Sequence, residues 1–468
     1  MIGRRQLKFP AETFRSIQLW LTIAVLVLAP LFFGSVDLFW VATWTILLSI
    51  SVLCGAASPM SPGQGRVLFV FLALGCAYAS VAVVQIAPHV LDRFNDPSWQ
   101  RVDDLLGLNV QPRISSRAEI PLDSTGHFLL LVASFMSGFF VGTSRRNSDT
   151  LIWFARYSIL LYGIYGLAAL VITPNMVLWA PKLAYPGSLT ATFINHNTAA
   201  TFFGAGAILW FCFAFSSLLS LQFGSIRLLL LTRSNEKLAF KIITRSAGAL
   251  ACFFALLLTH SRGGLICSYL GLLVAITLMA ANRRKPGFWR VPVSGVVALA
   301  VVVVLLGRTG RIGSQGLFDD GRWSVYGFCL EAIRQRPILG AGVGTFADLF
   351  PSLRADDFHS WGVWEFAHST ILEIAVEMGL PLAAATIIAA VASLFILARA
   401  VIKSEGRSRR SLAAITGIAV LSYLHSTIDF SLQIPGYLVL FGILLGCGLA
   451  RALTTLEEAG AVPTRQPA

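Results

Sequence analysis

Four short segments of the sequence bring together histidine, arginine, asparagine and glutamate beside apolar runs. The first is Asn195-His196-Asn197, directly before a long apolar run. Its amide and imidazole groups are suited to hydrogen-bonding phosphate oxygens or sugar hydroxyls. An equally good interpretation is that Asn197 is the N-cap of the helix that follows. The segment is therefore a candidate for substrate contact, with helix capping as the alternative.

The second segment, residues 259–264, combines His260 and Arg262 with two glycines at a tight turn between apolar runs. The turn itself explains the glycines, but it does not explain a guanidinium group. Arg262 either snorkels to lipid headgroups or forms a fixed clamp for an anion. We favour the clamp, because a guanidinium binds phosphate through two parallel hydrogen bonds.

The third segment contains Arg322 and continues into residues 323–336, which have the apolar spacing of an amphipathic helix ending before Pro337. The predicted apolar stripe consists of Val325, Phe328, Cys329, Ala332 and Ile333. Arg336 closes this helix, and Arg322 is a second candidate ligand for an anion. The glycines of residues 340–344 resemble a dinucleotide fingerprint, but no βαβ pattern surrounds them, so we interpret them as a turn.

The fourth segment carries Glu365, His368, Glu373 and Glu377. If it is helical, Glu365 and His368 share one face, and so do Glu373 and Glu377. Histidine titrates near neutral pH, which suits it to moving a proton during a reaction. His368 is thus the candidate catalytic base. We interpret a further pair, His425 and Asp429, as a structural polar contact between helices.

The composition of the chain fixes the surroundings of these residues. Of 468 residues, 56% are hydrophobic and only 13% are charged, and mean hydropathy is +0.73. A soluble protein has about 25% charged residues, so we predict an all-α, polytopic membrane helix bundle. Lysine and arginine concentrate in alternate short loops, as the positive-inside rule requires. The net charge of +13 is therefore a topology signal, and no nucleic-acid partner is expected.

Twelve apolar runs predict about twelve crossings at roughly 20 residues each. They cover residues 17–34, 36–55, 67–87, 126–143, 151–172, 197–221, 242–259, 264–281, 291–307, 369–399, 411–426 and 435–452. Residues 1–452 then form one transmembrane domain and 453–468 a polar cytoplasmic tail. Both termini lie in the cytoplasm, and residues 308–368 form a large periplasmic loop subdomain. All four segments lie on the exterior side.

Arginines and a histidine at the outer face of a bundle suit a lipid-linked sugar diphosphate. The arginines would neutralise the departing diphosphate, and the histidine would assist an incoming hydroxyl. No group of acidic residues at metal-binding spacing requires a cation, although Asp319-Asp320 and Asp356-Asp357 keep a cation site open as an alternative. Neither a metal nor another cofactor is expected.

At these residues the sequence resembles the O-antigen ligase/polymerase superfamily of bacterial membrane glycosyltransferases. The resemblance covers roughly residues 180–435 and is carried by residues 193–197, 261–264, 321–323, 337–346 and 367–379. It implies a GT-C-like bundle, a periplasmic active site, and a donor glycan on undecaprenyl diphosphate that is transferred with inversion and without metal. It also implies that Arg262 and Arg322 hold the diphosphate and that His368 activates or orients the acceptor hydroxyl. Ser369 stands where the family often has asparagine, which bears on acceptor specificity.

The leading hypothesis is thus an O-antigen ligase-like enzyme of the bacterial inner membrane. The acceptor would be lipid A–core or another glycan, and membrane lipids and polysaccharide-assembly proteins are the expected partners. The alternatives are a polymerase of the same superfamily, a lipid-glycan flippase or other transporter, and an assembly protein without catalysis. The predicted substrate-binding residues are Asn195, His196, Asn197, His260, Arg336, Glu365 and Glu373.

Overall fold

The computed structural model describes residues 8–218, 236–281, 320–353 and 364–461. Regular structure in these ranges is almost entirely helical. The helices are α1 (Lys8–Leu28), α2 (Leu38–Gly55), α3 (Pro62–Ile86), α4 (Pro97–Leu106), α5 (Leu122–Gly142), α6 (Arg145–Ile172), α7 (His196–Leu218), α8 (Glu236–Leu258), α9 (Arg262–Ala280), α10 (Asp320–Gln335), α11 (Phe346–Leu353), α12 (Thr370–Met378), α13 (Leu380–Lys403), α14 (Gly406–His425) and α15 (Pro435–Ala461). The strands β1 (Met176–Val177) and β2 (Ala180–Pro181) form an antiparallel pair. Three 3-10 turns lie at Phe33–Ser35, Asp92–Phe94 and Ser431–Gln433.

The described helices confirm the prediction of an all-α polytopic membrane bundle. Nine of them are long and apolar enough to cross a membrane, namely α2, α3, α5 to α9, α13 and α15. Helices satisfy their backbone hydrogen bonds internally, which is what a hydrocarbon environment demands. Each predicted apolar run in the described part of the chain overlaps a helix. The runs at residues 17–34 and 411–426 overlap α1 and α14, which are not among the nine candidate spans. The run at residues 291–307 lies outside the described residues.

The predicted run 369–399 is divided in two at Gly379. This glycine has φ 84°, and a Cβ atom there would overlap the carbonyl oxygen of Ile338. The next residue, Leu380, donates its N–H to the carbonyl of Pro337 at 2.8 Å. The nine residues of α12 extend only about 14 Å, too little for a crossing. The membrane-spanning helix is therefore α13, and α12 lies outside it.

Small residues allow the central helices to approach closely. A Cβ atom at Gly138 of α5 would overlap the carbonyl oxygen of Ile443 in α15. Between α9 and α14, Gly271 and Gly417 face each other in the same way. Apolar burial drives helix association only weakly inside a membrane, so close backbone packing of this kind contributes much of the stability.

The amphipathic helix predicted for the large loop is confirmed as α10. Val325 and Cys329 are 0% and 1% exposed, and they belong to a small separate core with residues of α11 and α12. The helix ends at Gln335, just before Pro337, as predicted. This core anchors the first turn of α10, and hence Arg322, against the segment that carries His368.

At the other end of the chain, α15 continues to Ala461, so residues 453–461, assigned to a polar tail by their composition, are helical. Glu457 accepts hydrogen bonds from the hydroxyl of Ser61 at 2.8 Å and from the N–H of Gly63 at 3.1 Å. These bonds attach the end of α15 to the start of α3.

Candidate functional site

The candidate site lies at one end of the bundle, where α8 and α14 end and α7, α9 and α12 begin. We call this the site end. At its centre is the turn between α14 and α15, and in this turn Asp429 is fully buried, with 0% exposure. A buried carboxylate is costly unless hydrogen-bond donors and cations surround it, so the groups around Asp429 define the site.

Two neutral side chains hydrogen-bond Asp429 directly. Its Oδ2 accepts from the amide Nδ2 of Asn197 at 2.7 Å, and its Oδ1 accepts from the hydroxyl of Ser431 at 2.8 Å. The same Asn197 accepts, through Oδ1, from the hydroxyl of Ser261 at 2.7 Å. Asn197 thus joins the turn before α9 to the turn before α15.

Two cationic or titratable groups approach the same carboxylate. The Nη2 atom of Arg322 lies 3.7 Å from Oδ2 of Asp429, and the Nδ1 atom of His368 lies 4.0 Å from it. Arg322 also donates from Nη1 to the carbonyl of Ile428 at 2.8 Å. The side chains of Arg322 and His368 are 27% and 20% exposed, so both can meet a ligand from the surface.

His368 occupies a left-handed backbone conformation, with φ 53°. Such a conformation is unfavourable for a residue with a side chain and persists only where the surroundings enforce it. Here the carbonyl of His368 accepts from the hydroxyl of Tyr326 at 3.0 Å. Its ring meets those of Trp364 and Phe430 edge to face, with centroids 5.0 and 4.9 Å apart. The imidazole is therefore held in one orientation.

The predicted helical pairing of Glu365 with His368 is wrong, because both residues precede α12 and Glu365 is exposed. The pairing of Glu373 with Glu377 is confirmed, since both lie in α12 and both are buried. Burial, followed by the charge of Glu377, raises the pKa of Glu373 above its ordinary value. Burial likewise raises the pKa of Glu377.

Each of these acids fixes a loop. Glu373 accepts from the N–H of Ala367 through Oε2 at 2.7 Å, and from Nε2 of Gln433 through Oε1 at 2.6 Å. It therefore ties the residue before His368 to the 3-10 turn after Asp429. Glu377 accepts from the N–H of Phe346 at 3.1 Å, which holds the start of α11.

The alternative prediction that Asn197 is the N-cap of α7 is wrong, because Asn197 lies inside the helix. Helix α7 begins at His196, and Asn195 caps it by accepting from the N–H of Asn197 at 2.7 Å. His196 stacks on Tyr185, with ring centroids 3.9 Å apart, and its Nδ1 lies 2.8 Å from the carbonyl oxygen of Thr259. The first and second sequence segments are therefore in direct contact.

Arg262 is the first residue of α9, is partly buried, and directly follows Ser261, which donates to Asn197. Ser261 caps this helix by accepting from the N–H of Gly264 at 3.2 Å. A Cβ atom on Gly263 would lie 2.9 Å from the Cδ1 atom of Ile428, the residue whose carbonyl binds Arg322. His260 is exposed, and its Nδ1 lies 3.2 Å from the hydroxyl of Ser188.

Arg336 lies away from this centre, at the end of α10. Its Nη1 atom is 2.6 Å from Oδ2 of Asp96, which is 5% exposed. Burial opposes ionisation of Asp96, but hydrogen bonds from Ser98 and the charge of Arg336 lower its pKa below the ordinary value. This ion pair attaches α10 to the segment before α4.

A groove of about 1460 Å³ opens at the site end and continues between α3, α5, α13 and α15. His368, Asn195, Glu365 and Glu373 lie at its mouth. Its walls are mostly apolar and include Val67, Phe71, Leu74, Phe128, Leu131, Phe135, Ile396, Phe441 and Leu445. The groove reaches Arg66 near the start of α3, at the opposite end of that helix. A long apolar channel that leads to charged groups can bind an amphiphile by its tail.

The sequence predicts a structural contact with His425 for Asp429 and does not place Asp429 in the site. His425 does make a polar contact between helices, but its partners are Thr201, whose hydroxyl is 2.8 Å from Nδ1, and Ser431, whose hydroxyl is 3.2 Å from it. Asp429, however, faces Arg322 and His368. The signal was its position beside the same end of the bundle as the four segments, where several cations require a counter-ion.

Residues 247–387 match the family model described as O-antigen ligase. The match supports the resemblance to the O-antigen ligase-like superfamily and includes Arg262, Arg322 and His368. The family indicates a membrane glycosyltransferase of the ligase or polymerase type, with glycan or lipid-linked substrates. None of the curated proteins matches the chain significantly. Among the described residues, no group of three or more histidine, cysteine, aspartate or glutamate side chains is arranged to hold a metal ion.

Proposed function

We propose that the protein transfers a saccharide from an undecaprenyl-diphosphate carrier to an acceptor hydroxyl on the periplasmic side of the bacterial inner membrane. The observation that carries the proposal is the meeting of Arg322 and His368 at Asp429, at the mouth of a groove with apolar walls. The family match supports the reaction class.

The groove supports a polyprenyl carrier because it combines a long apolar channel with a polar mouth. In the proposed complex the isoprenoid chain lies between α3, α5, α13 and α15. The diphosphate then lies at the site end, near Arg322 and the first turn of α9, where Arg262 is located. Planar guanidinium groups suit this ligand, because they hold phosphate oxygens bidentately and stay protonated.

In the proposed reaction the acceptor oxygen forms a bond to the anomeric carbon while the bond from that carbon to the diphosphate oxygen breaks. The bonding electrons leave with the diphosphate, whose growing charge Arg262 and Arg322 neutralise. The hydroxyl proton passes to the imidazole of His368. Asp429 keeps that imidazole oriented and stabilises its protonated form, the role that a buried carboxylate has beside a catalytic histidine.

The remaining candidate residues divide by position. Asn195 and Glu365 line the groove mouth and are proposed to contact the glycan, with His260 and His196 contributing at the adjoining loop. Asn197 and Glu373 are proposed to act as positioning residues, through Asp429 and through the loop of His368. We assign Arg336 a structural role, because its guanidinium pairs with Asp96.

Within this reaction class we favour a ligase that attaches polymer to lipid A–core, with an O-antigen or exopolysaccharide polymerase as the alternative. The two need the same donor site and differ in acceptor. Among the described residues, the polar groups around His368 and Asp429 lie at one end of the bundle instead of at mid-membrane. This arrangement favours surface chemistry over transport.

The direct test is transfer from a purified lipid-linked glycan by the Arg322→Lys and Arg262→Lys variants. A point charge replaces the planar fork, so we expect each variant to lose most transfer activity. The matched control is Arg334→Lys on the same helix as Arg322, where the side chain is 78% exposed. Undiminished transfer by both site variants would refute the arginine clamp.

A deletion strain separates the two acceptors. Loss of a ligase leaves bare core and accumulated lipid-linked polymer, whereas loss of a polymerase leaves at most one repeat unit on the core. An unchanged surface polysaccharide would count against both assignments.

A further inference from the structure

A second charged cluster lies at the end of the bundle opposite the site end. It surrounds Phe213, near the end of α7, which is 8% exposed. The guanidinium carbons of Arg156, Arg410 and Arg245 lie 4.4, 4.6 and 5.8 Å from the centroid of its ring. Three like charges from α6, α14 and α8 thus converge on one aromatic side chain.

The cluster has little negative charge of its own. The neighbouring Arg407 of α14 has its Nη1 atom 3.3 Å from Oδ2 of Asp149. In the described ranges no ion pair connects Arg156, Arg245 or Arg410 to a carboxylate. Arg245 donates to the carbonyl of Phe213 at 3.2 Å and to the hydroxyl of Ser217. These neutral acceptors leave an excess of positive charge that is expensive to keep inside a membrane bundle.

Arg156 is the strongest indication of an anion-binding site. It is only 6% exposed, yet its Nε and Nη1 atoms make no hydrogen bond with any described residue. Its guanidinium stacks on Trp210, 4.4 Å from the ring centroid. Stacking orients the guanidinium plane but leaves the in-plane donors unused. Each of these two donors can bind an oxygen of an oxyanion.

The surface beside the cluster is apolar and faces lipid. Along α6 the side chains of Trp153, Tyr157, Leu161 and Ile164 are 48%, 38%, 65% and 53% exposed. The first two are the aromatic types that collect at the membrane interface, and the others extend toward the centre of the bilayer. A ligand with a phosphate group and acyl chains would cover both surfaces.

We propose that this cluster is a binding site for the phosphate of an anionic glycerophospholipid in the cytoplasmic leaflet. Arg156, Arg245 and Arg410 bind the headgroup, and the acyl chains lie along the exposed stripe of α6. The charge bias of the loops predicts this end of the bundle to be cytoplasmic. The proposal is independent of the glycan chemistry, because α7 and α8 separate the cluster from His196 and Thr259 at their other ends.

The test uses the full-length protein, purified in a neutral detergent and stripped of lipid. Phosphatidylglycerol and phosphatidylcholine are titrated separately, and the shift in unfolding temperature is measured at each concentration. We expect saturable stabilisation by phosphatidylglycerol and little by phosphatidylcholine. Each arginine near an anionic lipid surface adds about a fivefold factor in affinity. The double variant R245Q/R410Q should therefore need about 25-fold more phosphatidylglycerol for half-saturation.

The matched control is R146Q/K237Q, which removes two exposed charges from α6 and α8 at the same end and should behave as the wild type. The single variant R410Q, expected to shift half-saturation about fivefold, replaces the double variant if that fails to fold. Equal responses of R245Q/R410Q and wild type would overturn the proposal, as would equal stabilisation by the two lipids. Inorganic phosphate that reproduces the full stabilisation and displaces the lipid would assign the site to a soluble ligand and refute the lipid.

Discussion

The Nδ1 atom of His368 lies 4.0 Å from the Oδ2 atom of Asp429, although the two residues come from different turns at the site end. The same oxygen is 3.7 Å from Nη2 of Arg322 and 2.7 Å from Nδ2 of Asn197. One buried carboxylate therefore orients both the candidate base and a candidate diphosphate ligand. This relationship makes Asp429 the most informative position for mutation.

The variant Asp429→Asn should retain the fold but lose about 10²- to 10⁴-fold in transfer rate. The amide has nearly the same shape but removes the charge that stabilises a protonated imidazole. For the same reason the acidic limb of the pH–rate profile should move to lower pH. Transfer kinetics across pH, with the unfolding temperature measured in parallel, check both effects. Asp348→Asn, at an exposed pair with Arg117, is the control, and equal losses in the two variants would contradict an orienting role.

Replacing Glu373 with glutamine should change how stability depends on pH. The pKa of Glu373 is raised in the folded protein, so between its ordinary value of 4.5 and the raised value the folded state binds more protons than the unfolded state. Stability then falls as pH rises through this window. Glutamine does not titrate, so Glu373→Gln lacks the loss of stability that comes from deprotonating this carboxyl group. Its unfolding temperature should therefore fall less than that of the wild type between about pH 5 and about pH 8.

The glutamine variant should also retain transfer, because the amide oxygen can still accept from the N–H of Ala367 and Gln433 can reverse its own amide. Glu373→Ala provides the contrast, since it removes the tie between Ala367 and the 3-10 turn and should lower kcat. If the glutamine and wild-type proteins lose stability in parallel on raising pH, another group controls the decline.

Features with short-range sequence periodicity were predictable. Apolar runs located the described crossings, and the stripe of Val325 and Cys329 located α10, because each depends only on neighbouring residues in the chain. The shared face of Glu373 and Glu377 followed from helical spacing alone. The break at Gly379 was not visible in hydropathy, since it arises from contact with the backbone of Ile338.

Features that depend on tertiary packing were missed. For Asn197 the sequence offers substrate contact or helix capping, whereas its observed partner, Asp429, comes from a distant turn. Helical spacing does not apply to Glu365 and His368, because α12 begins only at Thr370. Whether a polar residue binds ligand or positions another side chain is decided by contacts that the linear order does not contain.

Close packing between α9 and α14 gives a prediction about stability. A Cβ atom on Gly417 would lie 2.6 Å from the carbonyl oxygen of Gly271 and 3.0 Å from Ala275. Gly417→Ala should therefore destabilise the protein by roughly 1–3 kcal/mol. Gly327→Ala on α10 is the control, since nothing lies within 4 Å of its added methyl, and it should be neutral or stabilising by up to about 1 kcal/mol. Unfolding midpoints in detergent that rank the variants in the reverse order would contradict this packing.

Filling the groove should impair use of the lipid carrier without disturbing the reacting groups. Ala390 of α13 lines the groove, whereas Ala384 on the same helix is exposed and outside it. A tryptophan at position 390 would occupy space that the isoprenoid chain needs, and we expect this overlap to weaken binding of the chain by roughly 1–3 kcal/mol. Ala390→Trp should therefore raise KM for a long-chain donor about tenfold or more. With a donor that carries a much shortened isoprenoid, the KM values of wild type and Ala390→Trp should be equal, because this donor does not reach the deep part of the groove. Ala384→Trp should match the wild type with both donors. Equal KM values for wild type and Ala390→Trp on the long donor would show that the chain binds elsewhere and that the groove serves another purpose.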